Sequence, residues 1–169
     1  TESAEQFITP LTLQAVSANP VRIKLFGSSD VNDGAMGHIE LARWASQIVI
    51  APASANFIAA LAHGLANNLL TTVCLATTAE IFVVPAMNQQ MWQNQATQGN
   101  IEILKQRGIK IIGPAVGAQA GGEFGPGRMV EVEEIIANLS MPEQILAGLD
   151  IVITAGPTLE PIDPVRYIA

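Results

Sequence analysis

The chain is poor in the residues that build several common kinds of site. It has one cysteine in 169 residues, Cys74, so no disulfide can close within it. A reducing, cytoplasmic setting is expected. Histidine is nearly as scarce, His38 and His63 being the whole supply, and no metal site is expected. Cations are few as well: eight Lys and Arg stand against fifteen Asp and Glu, a net charge of −7. Binding a nucleic-acid backbone needs a basic face, so that class of partner is set aside. A small anion held by backbone N–H groups stays open. Long apolar runs are missing too. The longest, around Leu69 to Ala76, is interrupted by threonines and too short to span a bilayer, so no membrane partner is expected. No charged-then-apolar signal segment opens the chain, and there is no internal repeat or low-complexity tract. What remains is 49% hydrophobic. That is enough for a real core, in one domain plus the edge of another.

Four segments read as strands: "QIVIAPA" (Gln47–Ala53), "IFVVPAM" (Ile81–Met87), "IKIIGPA" (Ile109–Ala115) and "DIVITAG" (Asp150–Gly156). Each is short, β-branched, apolar on both faces and ended by Pro or Gly, the pattern of parallel strands buried on both sides. Helical patterns lie between them. "MGHIELARWA" spaces Ile39, Leu41, Ala42 and Ala45 on one face. A helix runs from about Asn56 and breaks near Gly64, followed by a turn-rich apolar segment. "TQGNIEILKQRG" offers Thr97 as N-cap and Gly108 as the stop. "VEVEEIIANL" is a short amphipathic helix, and Thr9–Pro10 an N-cap with Pro at N1 before "LTLQAVS". Strands alternating with helices predict an α/β fold on a parallel sheet. Ligands of such sheets bind beyond the C-terminal strand ends, where "APASAN" and "VPAMN" fall. A boundary is expected near residues 142–149, with a fresh strand after it, so the chain reads as truncated at its C-terminus.

His38 opens a helix just after Gly37, where a neutral imidazole can act as a base or orient a substrate. The residue type alone leaves a surface or capping histidine open. His63, on an apolar helix beside Gly64, reads as structural. Ser54 and Asn56 sit at a strand-to-helix junction. Hydroxyl, amide and helix N–H groups there suit a phosphate or a polar ring, or simply cap the helix. In "PAMNQQMW", Pro85 stiffens a strand end and Ala86 leaves room for a flat ligand. Met87, Met91 and Trp92 add soft apolar surface, and Asn88 both donates and accepts hydrogen bonds. An apolar core explains the methionines but not an asparagine at a strand end. Cys74, in "LLTTVCLAT", has an uncharged apolar setting that makes a thiol inert. Asn67–Asn68 either binds a ring edge or ends a helix. "GAQAGGEFGPGRM" (Gly117–Met129) is almost bare backbone, as befits a loop that moves or approaches something closely.

Together, "HIELARWA", "APASANFIAALAHGLANNLLTT", "VPAMNQQMW" and "GPGRM" resemble the homo-oligomeric flavin-containing cysteine decarboxylases. The likeness is to the decarboxylase half of the bacterial bifunctional phosphopantothenoylcysteine decarboxylase / phosphopantothenate–cysteine ligases. It runs from Thr1 to about Leu139, and "ITAGPTLEPIDPVRYI" resembles the opening strand of the ligase half. The resemblance implies a flavodoxin-like fold, a parallel sheet with helices on both faces, here without the family's first strand-helix unit. Residues 1–145 would form the FMN-binding decarboxylase domain and residues 146–169 the start of a ligase-like domain. FMN would sit at a trimer interface, the trimers often assembling into dodecamers. Ser54, Ala55 and Asn56 match the flavin-binding "SAN" motif. Ala86 matches a backbone contact to the flavin, Met87 is grouped with it, and Ser3 falls near the phosphate. His38 matches the active-site histidine and Asn88 the asparagine that holds the substrate carboxylate. Gly117 to Met129 matches the flap that closes over the substrate, with Ala120 and Arg128 among its substrate-binding residues.

The implied activity is decarboxylation of 4′-phosphopantothenoylcysteine to 4′-phosphopantetheine, in coenzyme A biosynthesis. Oxidation at the thiol-bearing carbon precedes loss of carbon dioxide to an enethiol, which is then reduced while a protein acid protonates carbon. One departure bears on the last step. Where the family's flap reads "ACG", with the cysteine as proton donor, this chain reads "AGG", with Gly121 at the thiol's place. Glu123 is the nearest substitute acid in sequence. Two other readings follow: a non-catalytic FMN-binding or regulatory relative, favoured by Gly121, and a decarboxylase of peptide C-terminal cysteines, disfavoured by the ligase-like tail.

Overall fold

A computed structural model describes residues 2–25, 37–119 and 121–139, and the backbone of 160–161 and 167–168. Contacts divide the chain into two units, Thr1–Leu139 and Ser140–Ala169. In the second, β6 (Glu160–Pro161) pairs antiparallel with β7 (Tyr167–Ile168). The strand expected at Asp150–Gly156 lies outside the described residues.

The first unit is built on three parallel strands in the order β1-β2-β3: β1 (Gln47–Ala53), β2 (Glu80–Pro85) and β3 (Lys110–Ile111). Two helices carry each crossover. Between β1 and β2 run α4 (Ala55–Ala62) and α5 (Leu69–Ala76); between β2 and β3 run α6 (Gln89–Gln93) and α7 (Gln95–Gln106). Ahead of the sheet lie α1 (Glu2–Glu5), α2 (Pro10–Ser17) and α3 (Gly37–Trp44); behind it come an antiparallel hairpin, β4 (Ala115–Ala118) and β5 (Phe124–Arg128), and α8 (Val132–Asn138). The expected flavodoxin-like arrangement, a parallel sheet with helices on both faces, is present. The alternating side chains of β2 show why. Val83 enters a core with Ile48, Ile50, Phe57, Ile58, Leu61, Ile101 and Leu104, while Phe82 and Val84 enter a second core with Ile112, Val130 and Ile135 of α8.

Among the described strands, only β2 matches the double-sided burial predicted for every strand. Phe82 to Pro85 are all buried, whereas β1 buries Ile48, Ile50 and Ala53 and leaves Val49, Ala51 and Pro52 exposed. The third predicted strand divides. Gly113 takes a positive φ of 81° and Pro114 has no N–H to donate to a ladder. Pairing with β2 therefore ends at Ile111, and Ala115 begins the hairpin instead.

Helix starts follow capping chemistry. Thr9 caps α2, its Oγ1 accepting from Thr12 N at 3.2 Å, with Pro10 at the first turn as expected. Ser54 caps α4. The apolar segment expected to be turn-rich is a regular helix, α5, because Asn68 and Thr71 form a reciprocal capping box. The asparagine pair thus begins a helix rather than ending one. Thr97 does not cap α7; Asn94 does, its Oδ1 accepting from Ala96 N at 2.9 Å, and Thr97 is buried one turn later. Gly108 follows α7 at φ 80°, the expected stop. Among the described residues, no helix is long and apolar enough to cross a membrane.

Candidate active site

The parallel register sets the C-terminal ends of β1 and β2 side by side. Ala53 pairs with Pro85, and Ala86 N donates to Ala53 O at 3.0 Å. Ser54, Ala55 and Asn56 therefore neighbour Ala86, Met87 and Asn88 at the sheet edge where ligands of such folds bind. Ser54 Oγ is committed to capping, accepting from Phe57 N at 3.3 Å. The polar groups this corner turns outward are the first N–H groups of α4 and the exposed amide of Asn56. Ala86 is half-buried and carries only a methyl group. Met87 faces inward: its side chain packs on the larger core and its N–H donates to Gly127 O at 2.9 Å.

Asn88 is exposed and caps α6. Its Oδ1 accepts from Gln90 N at 2.8 Å, which fixes the amide so that Nδ2 points away from the helix. That Nδ2 donates to Glu123 Oε2 at 2.5 Å, across 35 residues of sequence. The glycine-rich segment is thus no bare loop. Its ends pair as β4 and β5, and the turn between them is closed by Gln119 N to Glu123 O at 2.8 Å and Gly122 N to Gln119 O at 2.9 Å.

The glycines of "GPG" approach the chain's own backbone. Gly127 has φ 133°, and a Cβ there would collide with the Met87 carbonyl oxygen. Gly125 lies against the Gln89 side chain. Gln119, which the sequence reading passed over, ties the hairpin down: its Oε1 accepts from Gln89 N at 3.0 Å and its Nε2 donates to Pro126 O at 3.1 Å. A lone amide side chain within a run of Gly and Ala was the available signal. Gly121 is different, for a Cβ there would meet nothing within 4 Å. Arg128 ion-pairs with Glu131, the N-cap residue of α8, and its stem lies over Gly117.

His38 is carried by a different element. It lies in the first turn of α3, which packs on α5, as in the bond from Thr77 Oγ1 to Ala42 O at 2.9 Å. Its Nδ1 is buried with no hydrogen-bond partner among the described residues. No hydrogen bond among them joins it to Asn88 or the hairpin. His63 is the exposed C-cap of α4. Cys74 is buried in α5, and desolvation pushes its thiol up to about 11, so it is inert as expected. Ser3 belongs to α1, its side chain outside the described residues; Ala120 lies outside them altogether.

Residues 1–141 match the profile described as "Flavoprotein". The chain belongs to the flavoprotein family. Residues 146–169 match a second profile, "DNA/pantothenate metabolism flavoprotein C-terminal domain". Among curated proteins, the chain is 56% identical over 172 residues to the coenzyme A biosynthesis bifunctional protein CoaBC of Haemophilus influenzae, covering 100% of this chain and 42% of that protein. It spans about two fifths of the length of such relatives. Among solved structures, a mutant PPC decarboxylase complexed with pantothenoylaminoethenethiol matches with TM-score 0.63 and 37% identity, over 70% of this chain and 67% of that one. The FMN-dependent cysteine decarboxylase SpaF matches with TM-score 0.66 and 30% identity, over 79% and 71%.

The donor set suits a flavin mononucleotide. Flavoproteins of this family need a flat, apolar gap with hydrogen-bonding groups at its rim. At this corner Ala55 and Ala86 present only methyl groups, with the α4 N–H groups and the exposed Asn56 amide beside them, which is compatible with that need.

Proposed function

We propose that this chain is the decarboxylase part of a longer coenzyme A biosynthesis protein, acting on 4′-phosphopantothenoylcysteine with FMN. The observation that carries the reading is the Asn88 amide. It is fixed by its cap, its donor faces outward beside a flavin-type corner, and it already engages a carboxylate. FMN, when bound, supplies the two-electron acceptor and donor that the carbon bearing the thiol requires. Ser54, Ala55, Asn56 and Ala86 hold it, with Met87 backing the corner from the core and Ser3 near its phosphate.

The chain's own residues do the rest. Asn88 Nδ2 donates to the substrate carboxylate and sets the bond that breaks. The hairpin, with Arg128 at its base, covers the substrate and keeps water out, and Ala120 is among the residues that bind it. His38 handles a proton through its imidazole, one nitrogen an acceptor and the other a donor when neutral. The chain contributes to a homotrimer or a dodecamer of trimers, and residues 146–169 open a ligase-like domain that makes the whole protein multifunctional.

Gly121 favours a second reading. The hairpin tip has no thiol to protonate carbon, so either the reaction stalls at the enethiol or the chain is a non-catalytic flavin-binding relative. Glu123 is the first candidate for a substitute acid. Mass analysis of the product made by the full-length, flavin-loaded protein separates the cases. Saturated 4′-phosphopantetheine means another acid serves, a product two mass units lighter means a stall, and no carbon dioxide release means a non-catalytic relative.

A further inference from the structure

The bond between Asn88 and Glu123 has no structural need that explains it. The hairpin is already fastened to the 87–89 segment at two other points, Met87 N to Gly127 O, where Gly127 seats closely on Met87, and Gln89 N to Gln119 Oε1, and it is braced internally by Gln119 Nε2 to Pro126 O. Both side chains are exposed, and neither fills a core. What the bond does is place a carboxylate on the one amide donor that the helix cap leaves turned outward. We propose that Glu123 is a built-in competitor for the Asn88 amide, a specificity residue that makes the site discriminate in favour of ligands whose own carboxylate can displace it. The inference rests on the functional reading above, in which Asn88 receives the substrate carboxylate.

The physical argument is one of occupancy and charge. Asn88 Nδ2 carries two N–H donors, but both are on one nitrogen, so a ligand carboxylate taking the second would lie against that of Glu123, and like-charge repulsion keeps both from binding at once. A ligand carboxylate therefore binds only to the fraction of molecules in which Glu123 has swung away, and its apparent affinity falls by that fraction. The fastenings use backbone groups and the Gln119 side chain, none of them the Glu123 carboxylate, so that side chain can leave without undocking the hairpin. A ligand without a carboxylate makes no claim on Asn88 and is indifferent to Glu123.

The test compares two unreactive ligands that differ by the carboxylate alone: 4′-phosphopantothenoyl-alanine and 4′-phosphopantothenoyl-ethylamine. Neither has a thiol, so neither is oxidised. Their dissociation constants are measured by calorimetry on the full-length flavin-loaded protein, unmodified and as Glu123→Ala and Glu123→Gln. Glu123→Ala should tighten the alanine ligand roughly tenfold, the effect of freeing an amide occupied about nine-tenths of the time, and leave the ethylamine ligand unchanged. Glu123→Gln, uncharged but still able to accept from Asn88, should fall between. Weaker or unaltered binding of the alanine ligand by Glu123→Ala overturns the competition. So does equal tightening of both ligands, which would make Glu123 a simple latch on the hairpin. If neither ligand binds any of the three proteins, the functional reading falls and takes this inference with it.

Discussion

Position 121 carries a hydrogen where the resemblance calls for a thiol, and the space for that thiol is still there. A Cβ at Gly121 meets nothing within 4 Å, and its φ is not in the left-handed range. Gly121→Cys should therefore fold as well as the unmodified chain and shift the product from enethiol to the saturated thiol, a gain of two mass units. An unmodified protein that already yields the saturated product would mean the thiol is dispensable here. Asn88 is the opposite case, a side chain with no room for change. Asn88→Asp puts a carboxylate against both the substrate and Glu123. Losing a hydrogen bond to a charged group costs on the order of 2 kcal/mol, so KM should rise at least ~10-fold. A KM within a factor of two of normal would remove Asn88 from the carboxylate site. His38→Asn should abolish turnover and keep the circular dichroism and flavin absorbance of the parent, since the imidazole anchors nothing among the described residues. Undiminished carbon dioxide release by that variant would end its assignment.

At the scale of the element, the hairpin and α5 make separate predictions. Gly127 and Gly122 both have positive φ, at 133° and 82°, yet only Gly127 is crowded. Gly127→Ala adds a collision with Met87 to backbone strain and should cost on the order of 2–4 kcal/mol. Gly122→Ala adds strain alone, about 1 kcal/mol. Urea unfolding of the two variants should separate them in that order, and equal losses would mean the hairpin is not seated as described. In α5, burial raises the Cys74 thiol from 9.0 to about 11. The folded chain then keeps a proton that the unfolded chain has lost. Stability from this group is intact below pH 9 and is lost as the pH rises through about 11. The urea midpoint should fall across that window, and Cys74→Ala should flatten the fall. Parallel slopes for the two proteins would show that other groups control it.

For the whole molecule, the surface is the telling feature. Trp44 is 80% exposed, Leu11 and Val16 of α2 are 74% and 79% exposed, and α2 buries nothing. Scattered exposed apolar side chains are ordinary, but a tryptophan and a whole helix face left to water suggest a partner surface. Under the proposed assembly, the full-length protein should sediment as a trimer or a multiple of one. Trp44→Glu should shift it toward smaller species, while a monomer under all conditions would remove the assembly from the proposal.

Sequence alone carried the local decisions. Alternation of short β-branched runs with helical spacing determined an α/β fold, because those periods report directly which faces meet the core. Thr9, Ser54 and Gly108 marked helix ends by local hydrogen bonding and backbone freedom, and Ser54, Ala86 and Asn88 were legible at strand ends before any coordinates. Thr97 misled, because Asn94 three residues earlier competes for the same role and only burial of Thr97 decides between them. The strand predicted at 109–115 is divided at Gly113–Pro114, a cue present in the sequence, but that Ala115 then pairs with Arg128 is a contact 13 residues away that no local rule gives. Tertiary structure alone decided what the bare glycines approach. Gly127 meets Met87, Gln119 meets Gln89, and Glu123 meets Asn88. These are contacts between segments some 30 to 40 residues apart. No local rule links such segments, because they become neighbours only once the parallel strands have brought their ends to one edge of the sheet.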